Sequence, residues 1–257
     1  MINLLILFAS ALGVGFISAM AGIGGGSLLV PFMVLVLGYN IKVAVAAGLL
    51  CVIATSSMAA SEYLKKNIVD LKTALLLEPI TSLGAIIGAN LTLSLPSDVV
   101  EGLLGILLLY VSLTMLRKSL QKQGVEENNT RPGKISGRRK TYGMTASFVA
   151  GLMSGMLGLG GGVLKVPIMS LIMGIPIKIA VATSSFMIGL TASSGGIIYL
   201  VNGMVKAEVA APLIAGIIPG AYLGARYLRK LKPRTVRLVF AILLLYASIR
   251  LIYSLIM

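Results

Sequence analysis

An all-α polytopic membrane protein built from two inverted-topology repeats is the fold class this sequence predicts. Three features predict it. The composition is 57% hydrophobic and 12% charged, a motif-rich segment recurs 136 residues later, and the basic loops change sides between the two copies. Soluble domains carry about 45–50% apolar and about 25% charged residues, so a chain of 257 residues with a mean hydropathy of +0.99 is not a water-soluble globular protein. At about 20 apolar residues per spanning helix, this length allows roughly ten crossings and leaves no room for a separate soluble domain. With no His, no Trp and one cysteine, Cys51, the chain lacks the residues of His-based acid/base, zinc and disulfide chemistry. No catalytic residue, metal site or cofactor is therefore expected, and the remaining classes are transporter, channel and membrane scaffold.

The duplication is gapless over long stretches. A shift of 136 positions lays Met20-Ala21-Gly22-Ile23-Gly24-Gly25-Gly26 on Met156-Leu157-Gly158-Leu159-Gly160-Gly161-Gly162, and Val30-Pro31 on Val166-Pro167. It also pairs Ile41-Lys42 with Ile177-Lys178, Thr55 with Thr191, Ser57 with Ser193, Gly84 and Gly88 with Gly220 and Gly224, and Leu107 to Tyr110 with Leu243 to Tyr246. Apolar composition alone does not place Gly and Pro in register, so the chain reads as a first transmembrane repeat at 1–118, a linker at 119–140 and a second transmembrane repeat at 141–257. Residues 1–20 resemble a signal peptide at Ala9-Ser10-Ala11, but they lack a basic start and recur in the second repeat, which assigns them to the mature fold.

Each repeat parses into a glycine-broken stretch and three spans: 41–62, 72–93 and 98–117 in the first, 178–200, 208–226 and 237–256 in the second. The loop 63–72 holds three basic residues while its equivalent 201–207 holds only Lys206; the loop 93–98 holds none while 226–237 holds six. Equivalent loops on opposite faces require an odd number of crossings per repeat. Three spans give that number if residues 1–38 and 141–174 each form a helix, a glycine break and a shorter helix returning to the same face, as a re-entrant or hairpin segment. The returning pieces, Ser27 to Leu37 and Val163 to Met173, would be about 16 Å long at 1.5 Å per residue, with Pro31 and Pro167 in the first turn of each. By the positive-inside rule 63–72, the linker 119–140 with its flank from 117, and 226–237 face the cytoplasm, and both termini lie outside. The net charge of +14 is thus topogenic, and nucleic acid is not an expected partner.

Irregular backbone at membrane depth is tolerated where it is buried in protein or lines a polar cavity, so the two glycine runs are the first candidates for a site. Gly24, Gly25, Gly26 and Ser27 in one repeat, and Gly160, Gly161 and Gly162 in the other, let backbone N–H groups approach an anion at the start of a helix. Thr55, Ser57, Thr191 and Ser193 are repeat-equivalent hydroxyls placed to donate to one oxyanion; as single residues they also serve as helix–helix glue. Two charged residues sit inside apolar runs without a repeat partner: Lys165 opposite Leu29, and Glu78 opposite Ile214. Lys165 adds a fixed positive charge next to the glycines; Glu78 is either the proton carrier of a coupled transporter or a structural partner of Lys165. Gly84-x-x-x-Gly88 and Gly220-x-x-x-Gly224 read as helix-packing motifs.

The repeated Gly-x-Gly-Gly-Gly followed by Pro, with a Thr/Ser-rich helix after it in each half, resembles the sulfite exporter TauE/SafE family, the toluene sulfonate uptake permeases. The resemblance covers almost the whole chain. It implies a multi-pass carrier in the cell inner (plasma) membrane for sulfite, sulfonate, sulfoacetate, thiosulfate or related organic anions, proton-linked and working by alternating access. An anion channel, or a membrane assembly factor without transport, is the alternative. The implied partners are a small anionic substrate and the lipid bilayer, with homo-oligomer formation left open.

Overall fold

The computed structural model describes residues 2–21, 25–120, 136–228 and 233–256. The segment 121–135, which holds most of the expected linker, and Gly24 lie outside these residues, as do Arg229, Lys230 and Lys232 of the last basic cluster. Among the described residues the protein is all-helical: α1 (Ile2–Ala21), α2 (Gly26–Leu35), α3 (Ile41–Lys65), α4 (Leu71–Ser94), α5 (Ser97–Leu120), α6 (Gly137–Leu157), α7 (Gly162–Pro167), α8 (Ile177–Val201), α9 (Ala207–Leu228) and α10 (Pro233–Ile256). Five of these, α3, α4, α5, α8 and α9, are long and apolar enough to cross a membrane, and α10 adds the apolar stretch Leu238–Ser254. Large apolar side chains such as Leu75, Ile106, Val201 and Tyr246 stand exposed on the outer faces of these helices, as a lipid-facing surface requires.

Side-chain caps set several boundaries. Asn40 accepts from the Lys42 N–H at 2.9 Å to start α3, and Asp70 accepts from Lys72 and Thr73 N–H at 3.1 and 3.2 Å to start α4. Lys42 also reaches across to the far end of α4, where its Nζ donates to the Leu93 carbonyl at 2.9 Å. At the other end, α6 stops at Gly158, which holds φ +71° and ψ +18°, a left-handed conformation that glycine adopts without a Cβ penalty.

The helix after each glycine break is short, as the sequence predicts, but its proline lies deeper. Pro31 is the sixth residue of α2 and Pro167 the last of α7, so neither occupies the first turn. A proline there removes one i→i−4 bond, and the chain answers by widening. After Pro167 it continues as a π-helical turn, Ile168–Ile172, with the Met173 N–H donating to Ile168 O at 3.2 Å; after Pro31 the Leu37 N–H similarly donates to Phe32 O at 3.4 Å.

The two repeats hold each other rather than themselves. Helix α1 packs along α9, α4 along α6, α5 against α10 and α3 against α8, each pair drawn from opposite halves. Along α4 and α6 a Cβ on Gly84 would fall on the Phe148 carbonyl, one on Gly88 on that of Leu152, one on Gly151 on that of Thr81, and one on Gly155 on that of Ala85. The register rises in both chains together, so these helices run in the same direction. The same holds for α1 and α9, where Gly216, Gly220 and Gly224 lie against the carbonyls of Phe8, Leu12 and Phe16. The repeat-equivalent helices α3 and α8 instead pass in opposite directions: a Cβ on Gly189 would lie 2.9 Å from Ser56 Oγ, and one on Gly196 3.9 Å from Leu49 and Ile53. The Gly-x-x-x-Gly pairs therefore act in helix packing, as the sequence indicates.

A β-branched side chain at a crossing point pushes two backbones apart. Gly155→Val is expected to lower stability by about 3 kcal/mol or more, seen as a fall in the detergent-solubilised melting temperature. Gly13→Ala in α1, where a Cβ meets nothing within 4 Å, is expected to leave that temperature unchanged.

Candidate functional site

The start of α2 meets the break before α7. A Cβ on Gly26 would strike the Gly158 carbonyl, and one on Gly48 of α3 would lie 3.3 Å from the same carbonyl. Gly158, Gly160 and Gly161 all have φ of +71°, so this stretch reverses direction in a conformation that other residues adopt only with strain. Val52 of α3 and its repeat equivalent Ile188 of α8 fill the space that the missing side chains leave, Val52 against Gly26 and Gly160, Ile188 against Gly160 and Gly162. Gly25 is covered by Ile217 and by the Thr55 methyl at 3.7 Å. At Gly25, Gly26 and Gly160 the absent Cβ is thus used for close packing.

Gly161 and Gly162 have polar neighbours. Ser154 Oγ lies 3.4 Å from the Cβ position of Gly161, and Ser184 Oγ 3.7 Å from that of Gly162. Both serines are buried, at 1% exposure, and neither hydroxyl has a hydrogen-bond partner. Ser18, which the 136-residue shift aligns with Ser154, is also buried with an unpartnered hydroxyl. Beside Ser154 and Gly161 opens a small cavity lined by Leu107, Met153, Leu159, Val163 and Leu164. Buried hydroxyls without partners are uncommon, because each carries a desolvation cost that a hydrogen bond would offset.

One turn further along α7, Lys165 is 1% exposed and its Nζ donates to Glu78 Oε2 at 3.3 Å. Glu78 sits in the second turn of α4, about 10 Å from that helix's start at 1.5 Å per residue. Its carboxylate is saturated: Thr191 Oγ1 donates to Oε1 at 2.6 Å, Ser82 Oγ donates to Oε1 at 3.0 Å, and Thr81 Oγ1 lies 3.0 Å from Oε2. Thr191 also touches the Lys165 ammonium directly, linking α8 to the pair. At 3.3 Å and an effective dielectric of about 20, the Coulomb attraction is on the order of 5 kcal/mol. Desolvation costs several kcal/mol per ion, so the hydroxyl donors decide whether the pair is sustainable.

Of the sequence-predicted residues, the structure brings together Lys165, Glu78 and Thr191. Thr55 is half-buried and donates to Cys51 O at 3.1 Å within its own helix; Ser193 donates to Gly189 O at 2.8 Å; Ser57 is exposed and donates to Ile53 O at 2.8 Å. Ser27 lies buried at the start of α2. Sequence reasoning missed Thr81 and Ser82, three and four residues after Glu78 on the same helical face, a spacing that marks them as its neighbours. It also passed over Ser154 and Ser18, whose shared position in the repeat was the available signal.

A model of the TauE family, described as sulfite exporter TauE/SafE, matches residues 7–251. The chain belongs to the sulfite exporter TauE/SafE family. Among relatives of this TauE/SafE protein, the probable membrane transporter protein YunE of Bacillus subtilis is 30% identical, covering 98% of either chain. The probable membrane transporter protein YdhB of the same organism is 26% identical over 92% of this chain and 93% of its own. The sulfite exporter TauE/SafE family protein 6 of Arabidopsis thaliana is 44% identical over a shorter region, 25% of this chain and 15% of the plant protein. No solved structure matches. The TauE/SafE protein described here is accordingly a multi-pass membrane transporter.

Breaking the buried pair from one side leaves an uncompensated charge. Lys165→Met alone and Glu78→Gln alone are each expected to cost about 3–5 kcal/mol, while the paired change recovers at least half of the summed loss, read from the melting temperatures of the three variants. Additive single losses would show that the two groups do not interact.

Proposed function

We propose that this TauE/SafE protein is a secondary transporter of small sulfur-containing oxyanions or organosulfur anions, of the sulfite, sulfonate, sulfoacetate or thiosulfate type. It is proton-coupled, works by alternating access of two inverted-topology units in the inner membrane, and Glu78 carries the coupling proton. One observation carries the reading. Two buried hydroxyls, Ser154 and Ser184, stand without partners against Gly161 and Gly162, where a ligand oxygen would complete them. An oxyanion offers several acceptors, and neither glycine adds a side chain of its own, although Ile188 must withdraw from Gly162 to admit it. Lys165 and Thr191 supply a positive charge and a further donor one turn away. The sulfur chemistry follows from the family description and from the plant relative's printed name, both of which refer to sulfite export.

The inverted arrangement is supported by the antiparallel passage of the equivalent helices α3 and α8 together with the parallel pairs α1–α9 and α4–α6. An exchange of this kind relates the halves by an axis in the membrane plane, which provides two equivalent states open to opposite sides. Gly24, Gly25, Gly26, Ser27, Thr55, Gly160, Ser57 and Ser193 remain substrate-contact residues in this proposal for conformations in which Val52 and Ile188 withdraw from the breaks.

Ser154→Ala and Ser184→Ala separate a binding role from a structural one. Neither hydroxyl makes a bond that alanine would lose, so both variants are expected to keep the wild-type melting temperature within about 0.5 kcal/mol of stability. Uptake of sulfite or a sulfonate into proteoliposomes should fall at least fivefold in each. Unchanged uptake in both would remove Gly161 and Gly162 from the substrate path. For topology, a Ser97→Cys probe on a Cys51→Ser background should react with an impermeant maleimide from outside the cell, and Lys66→Cys only from the cytoplasm. Labelling of the Ser97→Cys probe only from the cytoplasmic side would exclude the inverted arrangement.

A further inference from the structure

The ion pair is complete in itself, and that completeness constrains what an anion can do there. Lys165 Nζ has one carboxylate within reach, and that carboxylate also collects the hydroxyls of Thr191, Ser82 and Thr81. We propose that the substrate anion displaces the Glu78 carboxylate from the Lys165 ammonium while Glu78 takes up one proton, so that anion and proton bind together in a ratio of one to one. This rests on the anion-transport reading and specifies its coupling and its preferred substrate charge.

Buried charge must stay balanced. Lys165⁺ and Glu78⁻ sum to zero in a volume where both side chains are at most 9% exposed. Adding a monoanion without a proton leaves a net negative charge in a low-dielectric interior, which is costly for a group not fully paired. Adding the monoanion and one proton on a Glu78 oxygen restores neutrality: the ammonium now pairs with the substrate, and the neutral carboxylic acid turns its new O–H to the Thr81 hydroxyl, an acceptor as well as a donor. Thr191, which touches both Lys165 and Glu78, is free to redirect its hydroxyl from the carboxylate to the substrate. A dianion leaves one uncancelled negative charge even after the proton has bound, so a monoanionic sulfonate is favoured over thiosulfate.

Nothing else near Glu78 can take the proton in its place. Among the described residues of the elements packed on α4, α6 carries only Arg138, Arg139 and Lys140, and α8 only Lys178, all exposed near the helix starts; α7 carries only Lys165 and the π-helical turn no charge. On α4 itself Lys72 is exposed, and Asp70 is occupied in capping the helix. The repeat equivalents of Lys165 and Glu78 are Leu29 and Ile214, so the described residues hold one such exchange centre, and it binds one proton per anion.

The test is binding of methanesulfonate, whose charge does not vary through the neutral pH range, to the purified full-length protein by calorimetry over a series of pH values. In the wild type the dissociation constant is expected to weaken about tenfold per pH unit on the alkaline side, and thiosulfate should bind at least tenfold more weakly than methanesulfonate. Glu78→Gln should bind methanesulfonate with an affinity that no longer depends on pH, and the anion should raise its melting temperature by replacing the lost counter-charge. Should that variant fail to fold, the wild-type slope and the thiosulfate comparison decide alone. Wild-type binding that is flat with pH, or tighter for thiosulfate, would overturn the exchange while leaving anion transport standing. Failure of methanesulfonate, sulfite and thiosulfate all to bind a folded protein at any pH would overturn the anion-transport reading and the exchange with it.

Discussion

Apolar side chains gain little by leaving lipid tails for one another, so the helices of this protein must be held by contact of a different kind. Glycine supplies it. Along α4–α6 and α1–α9, from Gly84 and Gly88 against α6 to Gly216, Gly220 and Gly224 against α1, backbone lies on backbone with no Cβ between them. Dispersion summed over such close approaches is the force available in a bilayer. Because Gly88 and Gly155 pull α4 and α6 together, the Glu78 carboxylate is brought to α8 and to the start of α7, where Thr191 and Lys165 meet it.

The two halves share a plan but not a chemistry. One set of equivalent positions holds Lys165, Glu78, Thr81, Ser82 and Thr191; the other holds Leu29, Ile214, Ile217, Ile218 and Thr55. Only the threonine is common, and on the apolar side Ile217 and Thr55 close over Gly25. The sequence motifs that the halves share lie in the helical frame, and the polar centre lies where their residues differ. The charge is tolerated on one side because three hydroxyls and an ammonium surround a single carboxylate, and the opposite side needs no such arrangement.

Much of this frame was legible from the residues. The spans at 41–62 and 72–93 became α3 and α4 because hydrophobic runs of that length have one solution in lipid, and Asn40 and Asp70 fixed their starts. The short helices after the glycines were legible from the shift of 136 residues. The depth of Pro31 and Pro167 was not, since the helix start is set by contacts of Gly26 and Gly161 with distant segments rather than by the local run. The Lys165–Glu78 pair could be suspected from two unmatched charges, yet its hydroxyl shell depends on how α4, α7 and α8 converge. Ser57 shows the converse: its hydroxyl satisfies itself on Ile53 and faces outward, a local solution that residue type and repeat equivalence do not reveal.

The exchange of partners between halves also bears on how the molecule is made. When the first repeat leaves the ribosome, α1 has no α9, α4 has no α6 and α5 has no α10. Its glycine faces stay in contact with lipid, and the Glu78 carboxylate has neither its ammonium nor Thr191. Insertion of the spans therefore precedes much of the tertiary assembly, which is complete only when the last helix is in the bilayer. During that interval the half-made protein presents adhesive grooves to every neighbouring helix. The pairing is mutual, so each half completes the packing of the other.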